Sequence, residues 1–252
     1  MKTIDLNVDI AEGFPFDDDL LQFASSGNVC CGAHAGSQDL TFSTLEKWLS
    51  AGKQVGLHPG YPDRASMGRS PITPELARTY LDSIFAQVRA VQRFSEVAYL
   101  KPHGAFYNDT AIILPPNWNR PGFGYVPGQD PASFFLSRFP GVNSLSMLLR
   151  IYRLRLLGLP GTAHPVVAER ASQPFVREGF ADRRYAADGT LVPRSDPTAL
   201  LEDPAEIATQ VVRLAPQVDS ICLHGDRADS LELAELTARA LHDAGYGIAP
   251  WA

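Results

Sequence analysis

Cysteine is scarce in this chain: Cys30, Cys31 and Cys222 are all it has. Two are adjacent and the count is odd, so there is no disulfide framework. No C-x-x-C spacing occurs, which removes the thiolate zinc motifs. Each cysteine sits in an apolar run, where it acts as a small hydrophobe. Basic residues are outnumbered, 22 Lys and Arg against 28 Asp and Glu, for a net charge of −6. Nothing supplies a basic face, which argues against nucleic acid as a partner. No apolar run is long enough to span a bilayer. The opening MKTIDLNVDI is too short and too acidic for a signal peptide, so the expected compartment is the cytoplasm. The phosphate loop GxxxxGK(S/T) is missing, and so are H-E-x-x-H and H-x-x-x-H.

What is present is enough apolar material for a large core: 252 residues, 45% hydrophobic. Apolar runs alternate with amphipathic stretches about seven times. Strands are expected at residues 4–10, 29–31, 54–57, 97–100, 155–159, 175–178 and 220–224. Helices are expected at 37–49, 73–94, 144–152, 162–171, 204–214 and 231–245, with three aspartates, Asp17 to Asp19, suiting a further helix start. Runs such as VAYL and SICL are apolar on consecutive positions, as in parallel strands buried on both faces. Alternation of this kind implies right-handed βαβ units and a parallel sheet, open or closed. One domain over 1–252 is expected, with a Pro-, Gly- and aromatic-rich insertion at about 109–142 and a short helix near 132–138 inside it.

Four of the six histidines close apolar runs and are followed at once, or one residue on, by glycine: His34, His58, His103 and His224. With them, just after the strands, come Asp9, Glu12, Asn28, Asp63, Lys101, Tyr107, Asn108, Glu178, Asp182, Arg183 and Asp226. In a barrel all of these lie on the carboxyl rim, where active sites form. Two chemistries suit the set. Asp9 with His34, His58 and His103 could hold a divalent ion that activates water. Alternatively, Asp9 or Glu12 does acid–base work on an amide without metal, while His or Lys stabilises the oxyanion. Local spacing gives no vote for a metal. Lys101 either binds an anion or is a solvated strand-end lysine. Arg183 either clamps a substrate carboxylate or pairs with Asp182 or Glu178. Cys222 reads as core, His242 as exposed, and His164 as a helix residue.

Six ordered blocks, DLNVDIAEG, SSGNVCCGAHAGS, VGLHPGYPDRASMGR, LKPHGAFYN, EGFADRRY with LVPR, and LHGD, resemble the signatures of the LamB/YcsF family. The resemblance implies a seven-stranded (β/α) barrel of the glycoside hydrolase/deacetylase type. It implies one component of an ATP-dependent 5-oxoprolinase, opening the lactam of 5-oxoproline to L-glutamate with two partner subunits. In that reading ATP belongs to the complex, since this chain lacks the P-loop. Asp9, Glu12, His34, His58 and His103 are then the catalytic set. Asn28, Asp63, Lys101, Tyr107, Asn108, Glu178, Arg183, His224 and Asp226 bind substrate. The chain departs from the family at Val8, Ala11, Ala33 and Ser70, where Cys, Gly, a large aromatic and Arg are usual, and across 109–142. A stand-alone metal-dependent deacetylase or amidohydrolase, and a non-catalytic binding subunit, remain alternatives. A homo-oligomer is compatible with either.

Overall fold

The computed structural model describes residues 2–93, 96–115 and 138–251. The helix expected near 132–138 falls almost wholly outside them. Among the described residues the strands are β1 (Lys2–Ile10), β2 (Ser26–Cys30), β3 (Gln54–His58), β4 (Val97–Leu100), β5 (Arg155–Gly158), β6 (Phe175–Phe180), β7 (Ser220–Leu223) and β8 (Tyr246–Ile248). The helices are α1 (Asp17–Leu20), α2 (Gln38–Ser50), α3 (Pro74–Val91), α4 (Gly104–Thr110), α5 (Pro140–Tyr152), α6 (His164–Arg170), α7 (Pro204–Leu214) and α8 (Ser230–Asp243). No helix is long and apolar enough to cross a membrane, among the residues described.

The sheet runs β2-β3-β4-β5-β6-β7-β1, and β1 pairs back onto β2, closing a seven-stranded parallel barrel. One strand was unexpected. β8 pairs in parallel with the first three residues of β1, ahead of the part that closes the barrel. Its three residues are too few to show a period. β2 begins three residues earlier than expected, because Ser26, Gly27 and Asn28 are strand despite their low β propensity.

The period of two along β1 divides its work. Leu6, Val8 and Ile10 join the main apolar core. Asp5, Asn7 and Asp9 point into the barrel, where they meet side chains from other strands. Asp5 is fully buried and accepts hydrogen bonds from Ser25 Oγ at 2.6 Å and Ser26 Oγ at 2.8 Å, and one from Ser220 Oγ. Asn7 donates to Ser220 Oγ at 2.7 Å, and Asn28 donates to Asn7 Oδ1 at 2.7 Å and to Asp9 Oδ1 at 2.8 Å. Tyr99 donates to Asn28 Oδ1 at 2.7 Å. The barrel axis is therefore a hydrogen-bonded column that runs up to the carboxyl rim. Below it, Tyr99, Leu157, Val176 and Trp251 pack as an apolar plug. Gly56 makes room for the Tyr99 ring: a Cβ there would sit 2.3 Å from it.

Burial pushes the Asp5 carboxyl up to about 6, although its hydroxyl partners pull it down. A raised carboxyl favours folding while protonated. That contribution is complete below the unfolded value near 4 and is lost as pH rises through about 6. Two pH units at ~1.4 kcal/mol each is roughly 3 kcal/mol. The stability of Asp5→Asn relative to wild type should therefore rise by about that amount between pH 4 and pH 7. Urea unfolding at a series of pH values checks it, and a difference that stays flat rejects it.

Candidate functional site

The carboxyl rim opens into a cavity of about 600 Å³. Strand ends build its floor. Asp9 comes from the end of β1, His58 is the last residue of β3, and Lys101 and His103 follow β4 directly. Lys101 is not the solvated lysine that its position allowed. It is 2% exposed, and its ammonium lies 2.8 Å from Asp9 Oδ1 and 2.9 Å from Glu178 Oε1. It also donates to Cys222 Sγ at 3.0 Å, so this thiol, a core residue packed with Phe180 and Tyr107 as expected, also touches the polar column. Burial alone would lower the Lys101 ammonium, but Asp9, Cys222 and Glu178 hold it well above its usual range. Burial alone would raise the Asp9 carboxyl, but His58 and Lys101 outweigh it and hold Asp9 well below the usual carboxylate range. Glu178 Oε2 accepts from the Tyr107 hydroxyl at 3.0 Å.

Three of the four rim histidines form one cluster. His58 Nδ1 is 2.9 Å from the carbonyl oxygen of Lys101, and His103 Nε2 is 2.8 Å from that of Met67. His58 Nε2 and His103 Nδ1 face each other at 2.9 Å. His34 stacks flat on His103, with ring centroids 3.8 Å apart, and its Nε2 is 3.2 Å from Glu12 Oε1. The stack depends on glycine. A Cβ at Gly60 would lie 2.5 Å from His34 Nδ1. Gly68 and Gly104 both have positive φ, and a Cβ at Gly104 would lie 2.6 Å from Gly68 O. Burial pushes His103 well below the usual imidazole value, with His34 and His58 adding to it, and burial likewise lowers His34.

The fourth histidine stands apart. His224 Nδ1 is 2.8 Å from Asp182 Oδ1, an orienting contact that leaves its other nitrogen for the cavity it lines. Arg183 also lines the cavity and pairs with neither Asp182 nor Glu178. Its Nη2 donates to Val192 O at 2.6 Å and its Nε to Ala199 O at 3.4 Å. Burial, with Arg194 close by, lowers its guanidinium to about 10. Among the described residues it has no carboxylate partner.

Of the other expected residues, Tyr107 and exposed Asn108 line the cavity, while Asn28, Glu12, His34 and Glu178 lie behind the lining. The structure does not bring Asp63 to the cavity. Its carboxylate accepts from Ser66 N at 3.4 Å and caps the short turn Arg64–Ser66. Asp226 also lies outside the lining, paired with Arg69 and, at 3.6 Å, with Arg194. Those two arginines do line the cavity, and residue-by-residue reading missed them. Both fall inside the quoted blocks, Arg69 ending VGLHPGYPDRASMGR and Arg194 ending LVPR. His164 is structural: its Nδ1 accepts from Leu159 N at 3.1 Å, and its Nε2 is 2.9 Å from Thr110 Oγ1.

The LamB/YcsF family model matches residues 4–112 and 146–252. The chain is similar to a 5-oxoprolinase subunit of Haemophilus influenzae (strain PittGG), 33% identical over 93% of this chain and 94% of the relative. It is 35% identical to the corresponding 5-oxoprolinase subunit of Neisseria meningitidis serogroup B, over 98% and 99% of the two chains. The relative from Pyrococcus furiosus, which carries the same name, is 33% identical over 98% and 97%. Among solved structures, the lactam utilization protein from Thermus thermophilus superposes with a TM-score of 0.74 at 25% identity, over the whole of both chains.

Removing the ammonium at the floor should be costly. Lys101→Met leaves Asp9 and Glu178 buried without their cation, which costs about 3–5 kcal/mol. Denaturant unfolding at pH 7 should show that loss, and part of it should return as the pH is lowered and the carboxylates take up protons. A loss below ~1 kcal/mol would contradict the buried ion triad.

Proposed function

The chain belongs to the LamB/YcsF family, and from that premise we propose that it is the lactam-opening subunit of an ATP-dependent 5-oxoprolinase-type hydrolase. With partner subunits it would convert 5-oxoproline to L-glutamate. The relatives' shared name supports both the substrate and the membership of a complex. ATP would be taken by a partner, since this chain has no P-loop.

The observation that carries this reading is the pairing of two unlike ends in one cavity. Arg183 offers a guanidinium with no carboxylate of its own among the described residues, and Asp9, His58 and His103 stand together at the floor. A small lactam bearing a carboxylate fits that polarity. Arg183 holds the carboxylate. At the floor, water adds to the lactam carbonyl carbon, the ring C–N bond breaks, and the nitrogen takes a proton. The unprotonated nitrogens of His58 and His103 take the proton from the attacking water, and the Lys101 ammonium beside Asp9 stabilises the negative charge that develops on the carbonyl oxygen. His224, oriented by Asp182, is the proton donor to the leaving nitrogen.

The test reconstitutes the chain with its partner subunits and follows glutamate and phosphate release. Turnover should need both the partners and ATP, and His103→Ala should abolish it. Arg183→Gln should raise KM for 5-oxoproline about 10- to 100-fold, the loss of one charged contact of roughly 1.5–3 kcal/mol. Full activity in His103→Ala would remove the site assignment. Amide hydrolysis by the chain alone, without ATP, would replace this reading with a stand-alone amidohydrolase.

A further inference from the structure

The floor of the cavity holds more hydrogen-bond acceptors than donors. A carbonyl oxygen only accepts, so the nitrogens that face Lys101 O and Met67 O, His58 Nδ1 and His103 Nε2, both carry protons. In neutral rings the remaining nitrogens, His58 Nε2 and His103 Nδ1, are bare lone pairs. These two point at each other across 2.9 Å. Glu12 Oε1 stands 3.2 Å from His103 Nδ1, and Asp9 Oδ2 stands 3.5 Å from His58 Nε2. Two lone pairs and two carboxylate oxygens converge without a proton between them.

The charge balance has the same gap. Asp9, Glu12 and Glu178 are buried carboxylates, and Lys101 is the ammonium among them. Arg69 and Arg194 are engaged by Asp226, and Asp182 by His224 and Arg227. Beside the facing nitrogens stand the carboxylates of Asp9 and Glu12, and Lys101, the cation nearest them, is shared with Glu178. One shared proton would separate the two nitrogens but would leave both carboxylate oxygens beside them unanswered. A divalent cation meets all four atoms.

We propose that Glu12, His58 and His103, with Asp9 as a further oxygen donor, form a binding site for a divalent transition-metal ion of the manganese-to-zinc series. The ligand atoms of Glu12, His58 and His103 all lie within 4.8 Å of one another. Bonds of about 2.0–2.2 Å set neighbouring ligand atoms about 2.8–3.6 Å apart between octahedral and tetrahedral angles, and the His58–His103 and His103–Glu12 spacings of 2.9 and 3.2 Å fall in that range. Each imidazole is already held by a backbone carbonyl on its far nitrogen, the usual way a metal-bound histidine is oriented. Mixed nitrogen and oxygen donors suit borderline ions rather than calcium or copper(I).

This set differs from the one the sequence suggested. His34 is replaced by Glu12, because His34 Nε2 is spent on Glu12 Oε1. His34 is thus a positioning residue that aims the carboxylate. A second group, Asp9 with Cys222 and His224, is also close enough to share an ion. It is the weaker candidate, since the Lys101 ammonium already occupies Cys222 Sγ and Asp9 Oδ1.

The test needs no substrate, partner or ATP, so its outcome is separable from that of the lactam reading. Untagged chain is stripped with EDTA, dialysed, and titrated with Zn²⁺ and with Mn²⁺ by calorimetry, with bound metal counted by mass spectrometry. One equivalent of at least one ion should bind with a dissociation constant in the micromolar range or below. Glu12→Gln, which keeps shape and volume, should weaken binding at least 100-fold. His34→Ala should weaken it about 10- to 100-fold. His242→Ala, on the exposed face of α8, should leave it unchanged. In the cobalt(II) form, the visible absorption bands should shift in Glu12→Gln. The proposal is overturned if neither ion binds at millimolar concentration. It is equally overturned if Glu12→Gln binds as wild type does, or if ¹⁵N NMR of metal-exposed protein shows an imidazolium proton shared by His58 and His103.

Discussion

The ion triad of Lys101 with Asp9 and Glu178 is the contact on which the rest of the barrel depends. Small parallel barrels are ordinarily filled with layers of branched apolar side chains. This one is filled, above an apolar plug, with Asp5, Asn7, Ser26, Asn28, Lys101, Glu178 and Ser220. A buried polar interior is tolerable only when every member has a partner. Lys101 reaches across from β4 to supply the positive charge that two carboxylates, on β1 and β6, need, and donates weakly to Asn7 Oδ1 at 3.4 Å as well. The same ammonium therefore closes the polar column from above and keeps Asp9 ionised at the cavity floor. Stability and site chemistry meet in one side chain.

The fold was legible because its evidence is local. Each parallel strand is a short apolar run, each helix has a 3.6-residue stripe, and the rim residues follow strands by construction. The alternation placed Asp9, His58, Lys101 and His103 at a common rim, and the structure puts them around one cavity. What could not be read was set by distance in sequence. Nothing near residue 101 announces that its partners are at 9 and 178. Nothing near His34 shows that its nitrogen is already taken by Glu12 and its ring by His103. Asp63 looked like a rim acid because it follows a strand and a histidine, yet it caps its own loop. β8 has too little sequence to carry any signal.

Two of the departures from the family pattern have a physical meaning here. Ala11, where the resemblance implies glycine, has φ of 62°, a left-handed conformation that glycine takes freely and alanine takes at a cost of about 1 kcal/mol. The chain keeps that conformation because Ala11 N donates to Asp17 Oδ2 at 2.8 Å and because Gly36 packs against Ala11 O, where a Cβ would lie 2.1 Å away. The turn is what carries Glu12 back toward His34 and His103, so the strain is held by the site it builds. Ser70, where the resemblance implies arginine, donates to Ser66 Oγ at 2.9 Å and adds no charge to the cavity wall beside Arg69.

The two ends of the cavity are built by different devices, and they should diverge at different rates. Asp9, His58, Lys101 and His103 sit on or next to strand ends, locked by the polar column and by glycines that admit no Cβ. Arg69, Arg183 and Arg194 come from loops after β3 and β6, and Arg183 donates to the backbone carbonyls of Val192 and Ala199. Loop backbone can shift without breaking the barrel, whereas a strand end cannot. The stretch that the family model leaves unmatched, 113–145, lies in chain order between α4 and β5. Within this architecture the arginine wall can therefore be remodelled while the strand-end floor is kept.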